Sequence, residues 1–203
     1  KNIYDFVNIQ QHSLFVLIKK SKISHLILSF FSWEIANLPP TIEKYILVAA
    51  PHTSNWDFPL MLLTAFTTQV QLKWMGKKSL FRWPFNSLMV ALGGVPIDRS
   101  RRQEIVTQTS KKILSSKKFI LVIPPEGTRS RTQFWKSGFI HISREANVPI
   151  VFSYMDYKKK EIGFSEPIDQ NQESENILKL AHDFYKNVTA KYPENFGPIK
   201  LKK

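Results

Sequence analysis

Three short segments of this sequence combine residue types that do chemistry. The first is Pro51-His52-Thr53-Ser54-Asn55-Trp56-Asp57, in which four residues separate a histidine from an aspartate. An imidazole titrates near neutral pH and can take a proton from a hydroxyl. If a helix starts between the two, Asp57 folds back to accept the imidazole N–H. That contact fixes the tautomer and stabilises the imidazolium, as a triad carboxylate does. No side-chain nucleophile is then required, because the attacking hydroxyl can belong to the substrate. The plainer reading of the same residues is a capped helix with Asn55 at its N-cap. The second segment is Gly93-Gly94-Val95-Pro96-Ile97-Asp98-Arg99-Ser100-Arg101-Arg102. Glycines, a short apolar run and three arginines suit a phosphate, which guanidinium groups bind bidentately. The third is Pro124-Pro125-Glu126-Gly127-Thr128-Arg129-Ser130-Arg131. Its amides, hydroxyls and arginine fit an anion-binding nest, and otherwise it is a polar loop.

These segments need a scaffold, and the pattern around them predicts one. Tyr45–Ala50, Val70–Met75, Val95–Ile97, Phe119–Ile123, Pro149–Tyr154 and Glu161–Phe164 read as strands. Asn55–Thr68, Pro84–Leu92, Gln103–Ser115, Phe134–Ala146 and Glu173–Lys191 read as helices. Strand and helix alternate, which favours an α/β fold with a mostly parallel, mixed sheet flanked by helices. The first and third chemical segments each directly follow a buried strand. In open α/β sheets, ligands bind in the crevice beyond the strands' C-terminal ends. The pattern changes at Pro39-Pro40, so residues 1–38 read as an N-terminal helical segment and 39–203 as the α/β domain.

Composition narrows the field. The chain has 203 residues, a formal net charge of +13, 43% hydrophobic residues and no cysteine. The apolar fraction suits a folded core and excludes a disordered chain. The lack of cysteine excludes disulfide scaffolds, thiolate metal sites and a cysteine nucleophile. Most of the charge is local. From Gln71 to Arg144 there are 15 Lys and Arg against Asp98, Glu104 and Glu126, a net +12. Such a field calls for nucleic acid, an anionic membrane or a phosphorylated ligand. The five histidines, at 12, 25, 52, 141 and 182, show no metal-ligand spacing, and no metal is expected.

No stretch is long enough to span a bilayer, which takes about 20 apolar residues. Asp5 comes early and Lys19 and Lys20 follow the apolar run Leu14–Ile18, unlike a secretory signal. Ile23, Leu26, Ile27, Phe30 and Phe31 form one helical stripe, with Trp33 beyond it. This stripe either packs on the protein's own core or lies in a membrane interface.

Taken together, the motifs resemble the glycerolipid acyltransferases, such as the 1-acylglycerol-3-phosphate acyltransferases. The family's His-x4-Asp motif matches His52 and Asp57. Its second motif matches Gly94–Arg99, its Glu-Gly-Thr-Arg-Ser motif stands whole at Glu126–Ser130, and its Val-Pro-Ile motif matches Val148–Val151. Gly76-Lys77-Lys78-Ser79-Leu80 is similar to the family's lysine-bearing segment. Two positions depart: Pro96 stands where many members carry an aromatic, and Phe152 where a proline often follows.

The resemblance implies that His52 is the general base and Asp57 its orienting partner. It implies phosphate binding by Arg99 and Arg129, with help from Lys77 and Lys78. Glu126, Gly127, Thr128, Ser130 and Asn55 would shape the pocket. The implied reaction moves a fatty acyl group from acyl-CoA or acyl-carrier protein, as co-substrate, to a lysophospholipid hydroxyl. No other cofactor is implied. An acyl chain calls for an apolar channel, with Phe58, Leu60, Met61, Phe81, Trp83 and Phe85 as candidate walls. The implied setting is the cytoplasmic face of an anionic membrane, held peripherally (monotopic). The alternative is a lipid-binding protein of the same fold, or a lipid esterase acting on another lysolipid. No Gly-x-Ser-x-Gly elbow supports a hydrolase, and no recognisable motif supports nucleic-acid binding.

Overall fold

The structure, a computed structural model, describes residues 22–97 and 102–202. In chain order the elements are α1 (Ile23–Phe30), β1 (Glu34–Ile35), β2 (Lys44–Ala49), α2 (Asp57–Thr67), β3 (Leu72–Lys77), a 3-10 turn (Lys78–Phe81), α3 (Asn86–Ala91), β4 (Gly94–Ile97), α4 (Arg102–Ser115), β5 (Phe119–Ile123), α5 (Gly138–Ala146), β6 (Ile150–Asp156), β7 (Glu161–Phe164), α6 (Ser174–Tyr185) and a last 3-10 turn (Pro193–Asn195). The seven strands form one sheet in the order β1-β7-β6-β2-β5-β3-β4. Every neighbouring pair is parallel except β6 with β7, so the sheet is mixed, as the alternating pattern predicts.

β2 and β5 lie inside the sheet and are covered on both faces, which is why their sequences run almost wholly apolar. Alternate residues serve alternate faces. Ile46, Val48, Leu121, Ile150 and Phe152 pack with Ile113 of α4, Phe139 of α5, and Ile177, Ala181 and Tyr185 of α6. Tyr45, Leu47, Ile120, Val122, Leu72 and Trp74 face the other way, towards Leu28 of α1 and Leu60 and Ala65 of α2.

Several expected boundaries move, each for a visible reason. The α5 helix starts at Gly138 rather than Phe134, because Trp135 donates its amide to the Lys200 carbonyl (2.8 Å) and bridges Leu201. The last helix stops at Tyr185 rather than Lys191. Beyond it the chain turns so that Thr189 can accept the Tyr157 amide (2.8 Å). Asn55 is not an N-cap: α2 begins at Asp57 without a side-chain cap from the residue before it. The span Pro84–Leu92 is helical only over Asn86–Ala91, and Gly93 ends it with φ +88°, a conformation suited to glycine. Phe152, the family departure, is fully buried on the α6 side, its ring 5.8 Å from Phe184 and 5.6 Å from Tyr185.

The N-terminal helix gives the least expected result. Its apolar stripe points outward: Ile23, Leu26, Phe30 and Phe31 are each more than half exposed. α1 rests on the protein through Ser24 and Leu28 instead, with Thr67 of α2 donating a hydrogen bond to the Ser24 hydroxyl (3.0 Å). Among the described residues no helix is long and apolar enough to cross a membrane.

Phe152→Ala should lower the unfolding free energy by about 3–5 kcal/mol, the usual cost of emptying a buried phenyl site. Urea unfolding of the purified variant reads this directly.

Candidate active site

Four adjacent strands, β2, β5, β3 and β4, end at the same edge of the sheet, and the chemical segments leave from those ends. The chain passes from Ala49 through a cis peptide at Pro51 into His52. α2 starts at Asp57, so the five-residue step between them closes on itself. His52 Nδ1 lies 3.0 Å from Asp57 Oδ2. With Nδ1–H given to the carboxylate, Nε2 carries a lone pair and is the basic nitrogen. His52 lines a continuous cleft of about 1940 Å³, well above the ~300–1,000 Å³ usual for small-molecule pockets.

Asp57 is held by more than the imidazole. Its Oδ2 also accepts the backbone N–H groups of Thr53 (3.1 Å) and Ser54 (3.0 Å). Its Oδ1 accepts the Tyr157 hydroxyl at 2.6 Å. Tyr157 follows β6, the parallel neighbour of β2, and so arrives at the same sheet edge. The Trp33 ring stands edge-on to it at 5.1 Å. Burial and the Asp57 carboxylate push the Tyr157 phenol well above its usual range, so it stays a donor. Tyr157 escapes a reading of motifs because a hundred residues separate it from Asp57. The placement of β6 beside β2 is the signal that finds it.

Glu126 sits behind the histidine loop. Its Oε1 accepts the His52 backbone N–H (3.1 Å), which ties the third segment to the first. The side chain is buried, and Oε2 has no hydrogen-bond partner among the described residues. Burial pushes its carboxyl up to about 7, with the Asp57 charge adding to the rise. Gly127 turns with φ +68°, and the Lys136 side chain lies where a Cβ would project. Lys136 therefore belongs to the cleft wall, which the motifs alone did not indicate.

The other expected residues are placed as follows. Arg129, Thr128 and Ser130 are exposed on the cleft wall, where Thr128 Oγ1 accepts the Ser130 amide at 3.3 Å. Asn55 and Lys77 also line the cleft, whereas Lys78 begins the 3-10 turn beside it. Arg131 turns away and donates to the carbonyls of Glu194 and Phe196. Arg99 lies outside the described residues. Among the described residues, no group of acidic and histidine side chains is arranged to hold a metal.

On the α2 side the cleft is lined by apolar residues of the helix and the sheet. Phe58, Met61 and Ala65 of α2 and Leu47, Leu72 and Trp74 of the sheet are among them, with the Phe58 ring edge-on to Trp74 at 4.8 Å. Four expected wall residues are elsewhere: Leu60 and Phe81 pack in the core on the α2 side, while Trp83 is 92% exposed and Phe85 60%.

A sequence profile described as Acyltransferase matches residues 31–155, more than half of the chain. The chain belongs to the acyltransferase family. No curated protein matches its sequence. A solved structure similar to this acyltransferase is the crystal structure of the 1-acyl-sn-glycerophosphate (LPA) acyltransferase, PlsC, from Thermotoga maritima. The TM-score is 0.57 at 19% identity, covering 89% of this chain and 83% of that one. The two share the α/β fold.

Within this acyltransferase the carboxyl of Glu126 has a consequence for stability. A carboxyl whose folded value is raised from 4.5 to about 7 favours the folded state when protonated. Its contribution is complete below the unfolded value and is lost as pH rises through about 7. Glu126→Gln removes that loss. The variant should gain stability relative to the parent as pH rises between 4.5 and about 7, read from paired thermal melts.

Proposed function

We propose that this acyltransferase moves a fatty acyl group from a thioester, acyl-CoA or acyl-carrier protein, to the free hydroxyl of a lysophospholipid such as 1-acylglycerol-3-phosphate. The observation that carries the reading is the His52–Asp57 pair, 3.0 Å apart, on a cleft lined by apolar residues of α2 and the sheet and with Arg129 and Lys77 on its wall.

The steps follow from those groups. His52 Nε2 takes the proton of the acceptor hydroxyl as its oxygen bonds to the thioester carbonyl carbon. The imidazolium that forms is stabilised by Asp57, which is fixed by Thr53, Ser54 and Tyr157. The tetrahedral intermediate collapses, the carbon–sulfur bond breaks, and His52 returns the proton to the leaving thiolate. General-base help of this kind is worth about 10²–10⁴ in rate. No acyl-enzyme is needed. The chain has no cysteine, and Ser54 is buried with its hydroxyl accepting the Trp56 amide (3.1 Å).

Arg129 and Lys77 supply the charge for the acceptor's phosphate, with Arg99 and Lys78 assigned the same role from the family motifs. Guanidinium is the better partner for a phosphate because its planar fork binds two oxygens. The apolar part of the cleft beside α2 takes the acyl chain. The outward stripe of α1 suits a peripheral, monotopic position on the cytoplasmic face of an anionic membrane. The PlsC of Thermotoga maritima is itself described as an LPA acyltransferase, which is consistent with this choice of acceptor.

Two variants test the proposal with lysophosphatidate and both donor types. His52→Ala should lower kcat by about 10²–10⁴ while the far-ultraviolet spectrum stays unchanged. Retained turnover would remove His52 as the base. Arg129→Ala should raise the acceptor KM about tenfold or more with little change for the donor, in line with losing a charged hydrogen bond. An unchanged acceptor KM would mean that the acceptor is not held by its phosphate.

A further inference from the structure

Between Asp57 and Asp98 the sequence holds no acidic residue, while Lys73, Lys77, Lys78 and Arg82 are all basic. In the middle of this stretch, residues 77–88 are exposed except for Phe81. Phe81 is the inward anchor. Its ring stacks on Trp74 at 5.8 Å, and Gly94 leaves room for it, since a Cβ there would come within 2.7 Å of the ring. The remaining large apolar side chains turn the other way. Leu80 is 50% exposed, Trp83 92%, Phe85 60% and Leu88 48%.

A soluble surface seldom gathers four such side chains in nine residues, and here Lys77 and Lys78 precede them and Arg82 stands among them, with no acid in the stretch. Tryptophan and phenylalanine favour the boundary between lipid headgroups and hydrocarbon, and cations beside them favour anionic headgroups. The place is also informative. Lys77, Ser79 and Leu80 line the same cleft as His52, so the patch begins at the cleft's rim.

We propose that the segment Lys77–Leu88 is a membrane-insertion loop, with Trp83 and Phe85 entering the interface of an anionic bilayer at the mouth of the cleft. It is separate in the chain from the exposed stripe of α1. Both α1 and the anchor Phe81 pack on the α2 side of the sheet, which places two apolar patches on that side. The loop lets a lysolipid pass from the bilayer into the cleft without crossing water. In this purpose the proposal rests on the acyl-transfer reading, but its physical content does not. The basic loop would also attract an acidic carrier protein, yet four exposed apolar side chains at its centre favour lipid over an acidic protein surface.

The test uses the full chain and vesicles of phosphatidylcholine with and without phosphatidylglycerol. The double variant Trp83→Ser, Phe85→Ser should lower the partition coefficient onto anionic vesicles about tenfold or more. Both side chains are exposed, so its thermal midpoint should match the parent's. The emission of Trp83, taken as parent minus Trp83→Phe, should shift to the blue on vesicle addition and be quenched by brominated lipid. A partition coefficient within twofold of the parent's, or a Trp83 emission unmoved by vesicles, would overturn the proposal. So would a double variant that keeps its vesicle binding but loses binding to acyl-carrier protein. With a short-chain lysolipid below its micelle concentration and a soluble thioester, the double variant should turn over like the parent. A loss there would place the two residues in substrate binding and overturn the proposal. If the parent transfers no acyl group to any acceptor, the functional reading fails while the vesicle measurements still decide on the loop.

Discussion

The site depends on how one carboxylate is held. Asp57 takes three N–H donors on one oxygen and a phenol on the other, from two separate stretches of chain. Its two amide bonds close the turn that leads from β2 into α2. The imidazole bond sets the direction of His52, and the phenol ties the turn to the end of β6. Each donor satisfies part of a buried charge, and leaving such a group unpaired costs about 1–3 kcal/mol or more. The four contacts therefore hold one another in place. Tyr157 is itself braced by Trp33, just after α1. The outermost helix is thus connected to the base through two rings and a carboxylate.

The second carboxyl, Glu126, follows from the strand order. β2 and β5 are parallel neighbours, with Val48 opposite Ile123, so the loops that follow them leave side by side. Glu126 crosses between these loops and fixes the His52 amide. Two buried carboxyls near one imidazole would repel if both were charged. Desolvation resolves the conflict by raising Glu126, which leaves it free of charge over much of the acidic range. Glu126 positions the loop, whereas Asp57 supplies the negative charge that stabilises the imidazolium.

Much of this was legible in the sequence, for identifiable reasons. The buried strands announced themselves because a parallel sheet covered on both faces demands unbroken apolar runs, as in Tyr45–Val48 and Phe119–Val122. The His52–Asp57 contact was legible because it is local. Tyr157 was not, because its role comes from the β2–β6 pairing rather than from any nearby pattern. The direction of α1 was left open because periodicity shows that a helix has an apolar face without showing what the face meets. Trp83 and Phe85 are a similar case. Their composition suggested a channel wall, but Phe81 alone turns inward and its neighbours are left outside.

The two faces of the sheet are built to different ends. On the α5–α6 side, Trp135, Phe139 and Tyr185 are buried in one core cluster, and Tyr185 donates its hydroxyl to the carbonyls of Val48 and Ser153. On the α2 side the cleft is lined by one stripe of the helix and its C-terminal cap, Phe58, Met61, Ala65 and Thr68, at helical spacing. The same helix begins with Asp57. At 1.5 Å per residue, the stripe extends about 16 Å from the carboxylate. On the acyl-transfer reading, one rigid element then sets both the aim of the base and the depth available to hydrocarbon beside it. On the same reading, side chains on the cleft's sheet wall, such as Leu47 or Leu72, can change the room for hydrocarbon without moving the helix that carries Asp57.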